Sequence, residues 1–277
     1  MSQFSVPCSV YRGGTSRGLF FHKNDLPTDV TARNKIFLTG IDAYNLSQIN
    51  GLGSGTSHTS KVCVISPSTQ DGADVDFMFY QVGIGVQVVD EKGTCGNLMS
   101  AVGAFSVDEG LVPIGPAEKS VTVSVYNVNI KKILKIQVPV VNGKAQVNGD
   151  YQLPGVVKPG AMIRVAILNP GGGKTGETLL FGTKTSIKNQ RGAYKVSFVD
   201  IINPFVFIAA SDVGLNGTEP SSQVSGNKEL IEELNLLRDE MAVAAQMANN
   251  VEEARIKSGS IPKIAVVAEY SVDNFHS

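Results

Sequence analysis

Residues 93–110 read GTCGNLMSAVGAFSVDEG, and the fold is read outward from them. A helix is expected to begin at Cys95. It carries apolar residues at Leu98, Val102 and Phe105, a spacing that keeps them on one helical face, and it stops at Gly110. Cys95 stands where the helix opens. The first amide N–H groups of a helix lack partners and its dipole favours negative charge there. That setting depresses a thiol pKa and suits a carboxylate. Gly96 permits close approach, and Asn97 either caps the helix or binds ligand. The competing reading is a buried structural cysteine, the usual fate of this residue type; the Thr-Cys-Gly-Asn setting favours a functional one.

Strands are expected on both sides of this helix. KVCVI from Lys61 is an apolar β-branched run, followed by VDFMFYQVGI from Val75 and the alternating SVTVSVYNVNI from Ser120. KILKIQVPV from Lys132 continues the pattern, with Pro139 marking an edge or a strand end. Asn142-Gly143 is a hairpin signal. IRVAIL from Ile163 closes at Asn169-Pro170-Gly171. Beyond residue 180 the pattern starts afresh: two strands in YKVSFVDIINPFVFIAAS, a long helix from Asn227, then KIAVVAEY. In that helix Leu230, Leu234, Leu237, Met241 and Ala244 share one face. A shorter helix is expected after Pro27, and residues 217–227, rich in turn formers, as an exposed loop. Domains are therefore expected over residues 1–181 and 182–277.

Two further segments have residue types suited to chemistry. RGGTSRG, Arg12 to Gly18, combines glycines that let backbone amides reach a ligand with the hydroxyls of Thr15 and Ser16. Read alone it is equally a turn between two strands. GLGSGTSHTSKVCVI, Gly51 to Ile65, delivers Lys61 at the mouth of a buried strand, where partial desolvation lowers a lysine pKa and equips it as a base. The bland alternative is a solvated lysine at a strand end. NPGGGKTG at Asn169 resembles a phosphate loop, but the glycine that pattern needs is Leu168 and no helix is expected after it, so nucleotide binding is not expected.

Composition narrows the field. The chain has 277 residues, 24 basic and 25 acidic, for a net charge of −1. So even a balance lacks the basic face of a general nucleic-acid binder. The three cysteines, Cys8, Cys63 and Cys95, have no framework spacing and suggest a reducing compartment. The three histidines, His22, His58 and His276, have no metal-ligand spacing, and no structural zinc is expected. No apolar run reaches membrane-spanning length and no leader is evident, so a cytoplasmic protein with no membrane contact is expected.

RGGTSRG, TSKVCVI and GTCGN, in this order, resemble the signatures of the PrpF family. VDIINPFVFIAASDVGLNGTE and SIPKIAVVA resemble two of its later segments, so the resemblance runs over nearly the whole chain. It implies an α/β (α+β) fold like that of diaminopimelate epimerase: two similar domains of curled β-sheet around a central helix. It also implies cofactor-independent isomerisation of small unsaturated di- or tricarboxylates, such as 2-methylaconitate, aconitate, oxalomesaconate or methylitaconate. By motif, Ser16, Lys61 and Cys95 fall on the family's functional positions, with Thr15, Ser60, Gly96 and Asn97 as substrate contacts. A homodimer is the expected assembly. Two departures stand out: GSGTSH replaces a GGxHP-like loop, and Phe205 follows Asn-Pro where the family has Cys or Ser. Family members also continue past the KIAVVAEY strand, so the second domain is expected to be incomplete. The rival from another class is a non-catalytic binding or interaction protein on an eroded copy of the fold. A two-cysteine racemase is disfavoured because no cysteine follows Cys95.

Overall fold

The computed structural model describes residues 3–257 and 259–269; residues 270–277, His276 among them, lie outside that range. The chain divides into two compact units, Met1–Asn169 and Pro170–Ser277. The boundary therefore precedes the expected one, because residues 170–181 are tied into the second unit. Gly172 N donates to Asp200 O (2.8 Å), Asp200 N donates to Thr178 O (2.9 Å), and Phe181 packs edge-on against Phe198 with ring centroids 5.6 Å apart.

The first unit holds strands β1 (Ser9–Gly13), β2 (Ser16–His22), β3 (Lys61–Pro67), β4 (Val75–Val82), β5 (Val89–Asp90), β6 (Ser120–Asn127), β7 (Lys132–Val141), β8 (Lys144–Ala145) and β9 (Arg164–Ile167). Its helices are α1 (Val30–Ile41) and α2 (Gly96–Asp108). The strand order is β1-β2-β3-β4-β6-β7-β8, with β5 on β4 and β9 on β7. The β2–β3 and β4–β6 pairs are parallel and the others antiparallel. Helix α2 touches β1 and β2 at one end of this order and β6, β7, β8 and β9 at the other, so the sheet curls around it. This is why α2 is apolar on more than one stripe: Leu98, Met99, Ala101, Val102, Phe105 and Val107 are all buried. The opposite face of the sheet packs on α1 through Phe37 and Ile41, which meet Leu19, Phe21, Val62, Val64 and Tyr80. Asp29 caps α1, its carboxylate accepting from Ala32 N (2.8 Å). Pro139 ends the β6 pairing opposite Ser120, while β7 continues to Val141. The Asn142-Gly143 hairpin forms as expected, with φ of 51° and 72°.

The second unit repeats the scheme on a smaller scale: β10 (Thr185–Asn189), β11 (Gly192–Ile201), β12 (Asn203–Ala209) and β13 (Lys263–Val267) form one sheet in that order. Helices α3 (Ser221–Gly226), α4 (Lys228–Ala244) and α5 (Val251–Lys257) accompany it. Leu230, Leu234, Leu237 and Met241 of α4 are buried against Val196, Phe198, Val206 and Ile208. Ala244 is exposed and Ala245, just past the helix end, is buried instead. The loop expected at 217–227 contains the short helix α3, whose residues are largely exposed.

The NPGGGKTG segment folds around a carboxylate of its own chain. Lys174 N and Thr175 N donate to Asp200 Oδ2 (2.8 and 2.7 Å), and Asp200 is fully buried. These amides point at an internal anion rather than at a phosphate. Among the described residues no helix is long and apolar enough to cross a membrane, and no group of His, Cys, Asp or Glu could hold a metal ion.

Candidate active site

The site begins where the β1–β2 turn meets the opening of α2. Gly13 and Gly14 are glycines because the helix start is so close. A Cβ on Gly13 would lie 2.4 Å from Asn97 O and 3.0 Å from Leu98 Cα. One on Gly14, whose φ is +52°, would lie 2.3 Å from Asn97 Oδ1. This approach brings the RGGTS hydroxyls onto Asn97, whose Nδ2 donates to Thr15 Oγ1 (3.0 Å) and to Ser16 Oγ (3.3 Å). Cys95 is the N-cap residue of α2, but its side chain accepts no amide hydrogen. Instead its Sγ lies 4.0 Å from Ser16 Oγ, at the outer limit of thiol donor reach. Ser16 and Cys95 are 2% and 8% exposed. Because Ser16 Oγ accepts from Asn97 and faces the thiol, its own O–H is left to donate elsewhere.

Lys61 opens β3, the strand beside β2, and is 9% exposed. Its Nζ donates to Gln81 Oε1 (2.8 Å) and sits over the Phe79 ring, 5.1 Å from the centroid. Gly18 ties the three segments together: a Cβ there would meet both Lys61 O and Leu98 Cδ1 at 3.0 Å. Cys63, two residues along the same face of β3, is fully buried. Burial pushes its thiol pKa well up, a charge on Cys95 pushes it further, and Lys61 offsets part of this. Cys63 is thus held as a neutral thiol, electrostatically linked to both expected reactive groups.

Ser60 is placed differently from the expectation. It is fully buried, its Oγ donates to Thr56 O (2.8 Å), and Gln48 Nε2 donates to that Oγ (2.9 Å). Those bonds fold the loop that presents Lys61. Thr15 is exposed at the turn, as a contact residue would be.

A hollow of about 210 Å³ opens beside these groups. Gly13, Gly14, Gly96, Asn97, Arg12 and Lys158 are among the residues that line it. Arg12 and Lys158 are the charged residues lining it, and no acid does. Arg12 is steadied by donating Nη1–H to Gly14 O (2.8 Å). Cys95, Ser16 and Lys61 do not line this hollow; Cys95 directly precedes its lining residue Gly96, and Ser16 Oγ accepts from its lining residue Asn97. Gly96 has open space where a Cβ would project.

Gln81, Arg12 and Lys158 were not anticipated from the sequence. A polar residue interrupting the apolar run VDFMFYQV is a signal for Gln81. Arg12 opens the RGGTSRG segment, which is a signal for it; Lys158 carries none, since lone surface cations are common.

Comparison with known proteins identifies the family and the fold. The family model described as PrpF protein matches residues 3–274. The 3-methylitaconate isomerase of Eubacterium barkeri is 38% identical over 268 residues, covering 96% of this chain and 70% of that protein. The 2-methyl-aconitate isomerase of Shewanella oneidensis is 34% identical over 280 residues, with 96% and 70% covered. The crystal structure of a methylitaconate Δ-isomerase matches with a TM-score of 0.71 at 38% identity, over 95% of this chain and 67% of that one. The α/β architecture of a sheet curled around a central helix is therefore shared with that isomerase.

Proposed function

This chain belongs to the PrpF family, and on that premise we propose that it is an isomerase moving a double bond by proton transfer in a small unsaturated di- or tricarboxylate. The observation that carries the reading is the junction of Ser16, Cys95 and Asn97 at the start of α2, with Lys61 buried on the neighbouring strand. In the proposed reaction a base removes an allylic C–H proton. The electron pair delocalises toward a conjugated carboxylate, and a proton returned to the far carbon of the allyl unit leaves the double bond shifted. Atoms and electrons balance without an oxidant. Lys61 and Cys95 are the proposed proton carriers, and the Ser16 O–H is the proposed donor to the developing anion. The amides of Gly96 and Asn97, with the Thr15 hydroxyl, are proposed to hold a carboxylate. The hollow lined by Arg12 and Lys158, with no acid among the described residues that line it, supports a substrate of two or more negative charges. The relatives' printed activities support the same substrate class.

The test is incubation with methylitaconate, 2-methylaconitate and aconitate in deuterated water, followed by proton NMR. Loss of allylic or vinylic signal and appearance of an isomer are expected. Binding without exchange would instead support a non-catalytic binding protein, and neither binding nor exchange would defeat both readings.

Gly96 offers a separation of binding from folding. Gly96→Ala meets no atom within 4 Å, so stability is expected to hold or rise slightly. The new methyl group projects beside the hollow, so KM is expected to rise about tenfold, in line with roughly 1–3 kcal/mol for a misplaced carbon in a fitted site. Steady-state kinetics beside a thermal melt checks both.

A further inference from the structure

Resting on the isomerase reading, we infer that Gln81 is a positioning residue for Lys61, holding its Nζ with a neutral acceptor so that the amine can both lose and regain a proton. Lys61 and Gln81 face each other in the antiparallel β3–β4 register. The Gln81 amide has one defensible orientation. Nε2 lies 2.8 Å from Ser60 O and 3.2 Å from Ser57 O, and two carbonyls need a donor. Oε1 is therefore the atom turned to Lys61, at 2.8 Å. One side chain thus fixes the loop at residues 57–60 and the nitrogen of the lysine that follows it.

The chemistry of that partner matters. An amide oxygen accepts from an ammonium or from a neutral amine, so it orients Lys61 in either state. A carboxylate would add a full negative charge and hold the lysine protonated. Two further neighbours of Lys61 are uncharged. Phe79 lies beneath it, and Cys63, on its own strand face, is kept neutral by burial. Cys95 acts on Cys63 from the α2 side. Asp90, the residue opposite Gln81 across the β4–β5 pair, has its Oδ1 bound by Lys92 N (2.8 Å). Gln81 thus sets an uncharged acceptor directly against Nζ.

Two variants and two readouts test this. In Gln81→Glu the pH–rate profile is expected to move to higher pH by about one unit or more, because an opposite charge within reach raises a lysine pKa. Activity at neutral pH then falls about tenfold and recovers in alkali. In Gln81→Leu the tether is lost; kcat is expected to fall about tenfold or more with KM within about twofold. Lysine-selective NMR, with the Lys61 signal assigned by its loss in Lys61→Ala, reads the titration without turnover. A Lys61 titration unchanged in Gln81→Glu, or full kcat in a folded Gln81→Leu, overturns the inference. A shifted titration in a protein that never catalyses exchange upholds the pairing of Gln81 with Lys61. It sinks the isomerase reading on which the catalytic half of the inference rests.

Discussion

Lys61→Ala is expected to lower kcat by about 10²–10⁴-fold, the usual contribution of one positioned acid or base. The residue is nearly buried, bonded to Gln81 and seated on Phe79, so its amine has one defined position from which to transfer a proton. Loss of activity through unfolding is separable. Truncation leaves Gln81 Oε1 with a lost donor, which costs about 1–3 kcal/mol if the oxygen stays dry. It also removes a desolvated charge, which offsets part of that cost. Lys61→Met keeps the volume and most of the Phe79 contact, and is expected to melt near the parent temperature with activity as low as that of Lys61→Ala. Exchange of substrate protons at the parent rate by either folded variant would remove Lys61 from the mechanism.

Cys95→Ala is expected to reduce turnover by a similar factor of about 10²–10⁴, while Cys63→Ala keeps kcat within about twofold at some cost in stability. The contrast follows from placement. Both thiols are low in exposure, but Cys63 lies inside β3 with its pKa pushed well up by burial, whereas Cys95 caps α2 against Ser16. A thiol that stays protonated inside a strand has neither access to substrate nor a thiolate to take up a proton at neutral pH. Alkylation mapped by mass spectrometry offers a check without substrate. Cys95 is expected to react and to be protected by a bound tricarboxylate, Cys63 to stay unmodified, and exposed Cys8 to react in either case. Parent-like turnover by Cys95→Ala would assign the second proton transfer to another group.

Much of the fold was legible because each element obeys a local rule. The alternation of β6, the hairpin at Asn142-Gly143, the Cys95 start of α2 and the leucine face of α4 are written in residue spacing. The misplacements are of the kind local rules cannot prevent. Residues 170–181 lack strong periodicity; their attachment to the second unit comes from the backbone hydrogen bonds that Gly172 and Thr178 make with Asp200, which is distant in sequence. Ala244 and Ala245 are equivalent in composition, and the turn after the helix decides which is buried. The phosphate-loop likeness at NPGGGKTG is resolved by Asp200, whose carboxylate takes up the loop's amides from 25 and 26 residues away.

By itself the sequence determined the family, the α/β class and the segments that bear the side chains proposed to react, because motif order and hydrophobic period are properties of the chain alone. Tertiary structure decided how those segments meet. It set Gly13 and Gly14 against Asn97, turned the Ser60 hydroxyl inward to Gln48, placed Gln81 opposite Lys61 and drew Arg12 and Lys158 to one hollow. The physical reason is register and curl. Which residue faces which across a sheet depends on the pairing of strands far apart in sequence, and the curl of that sheet around α2 brings its two ends to the same helix.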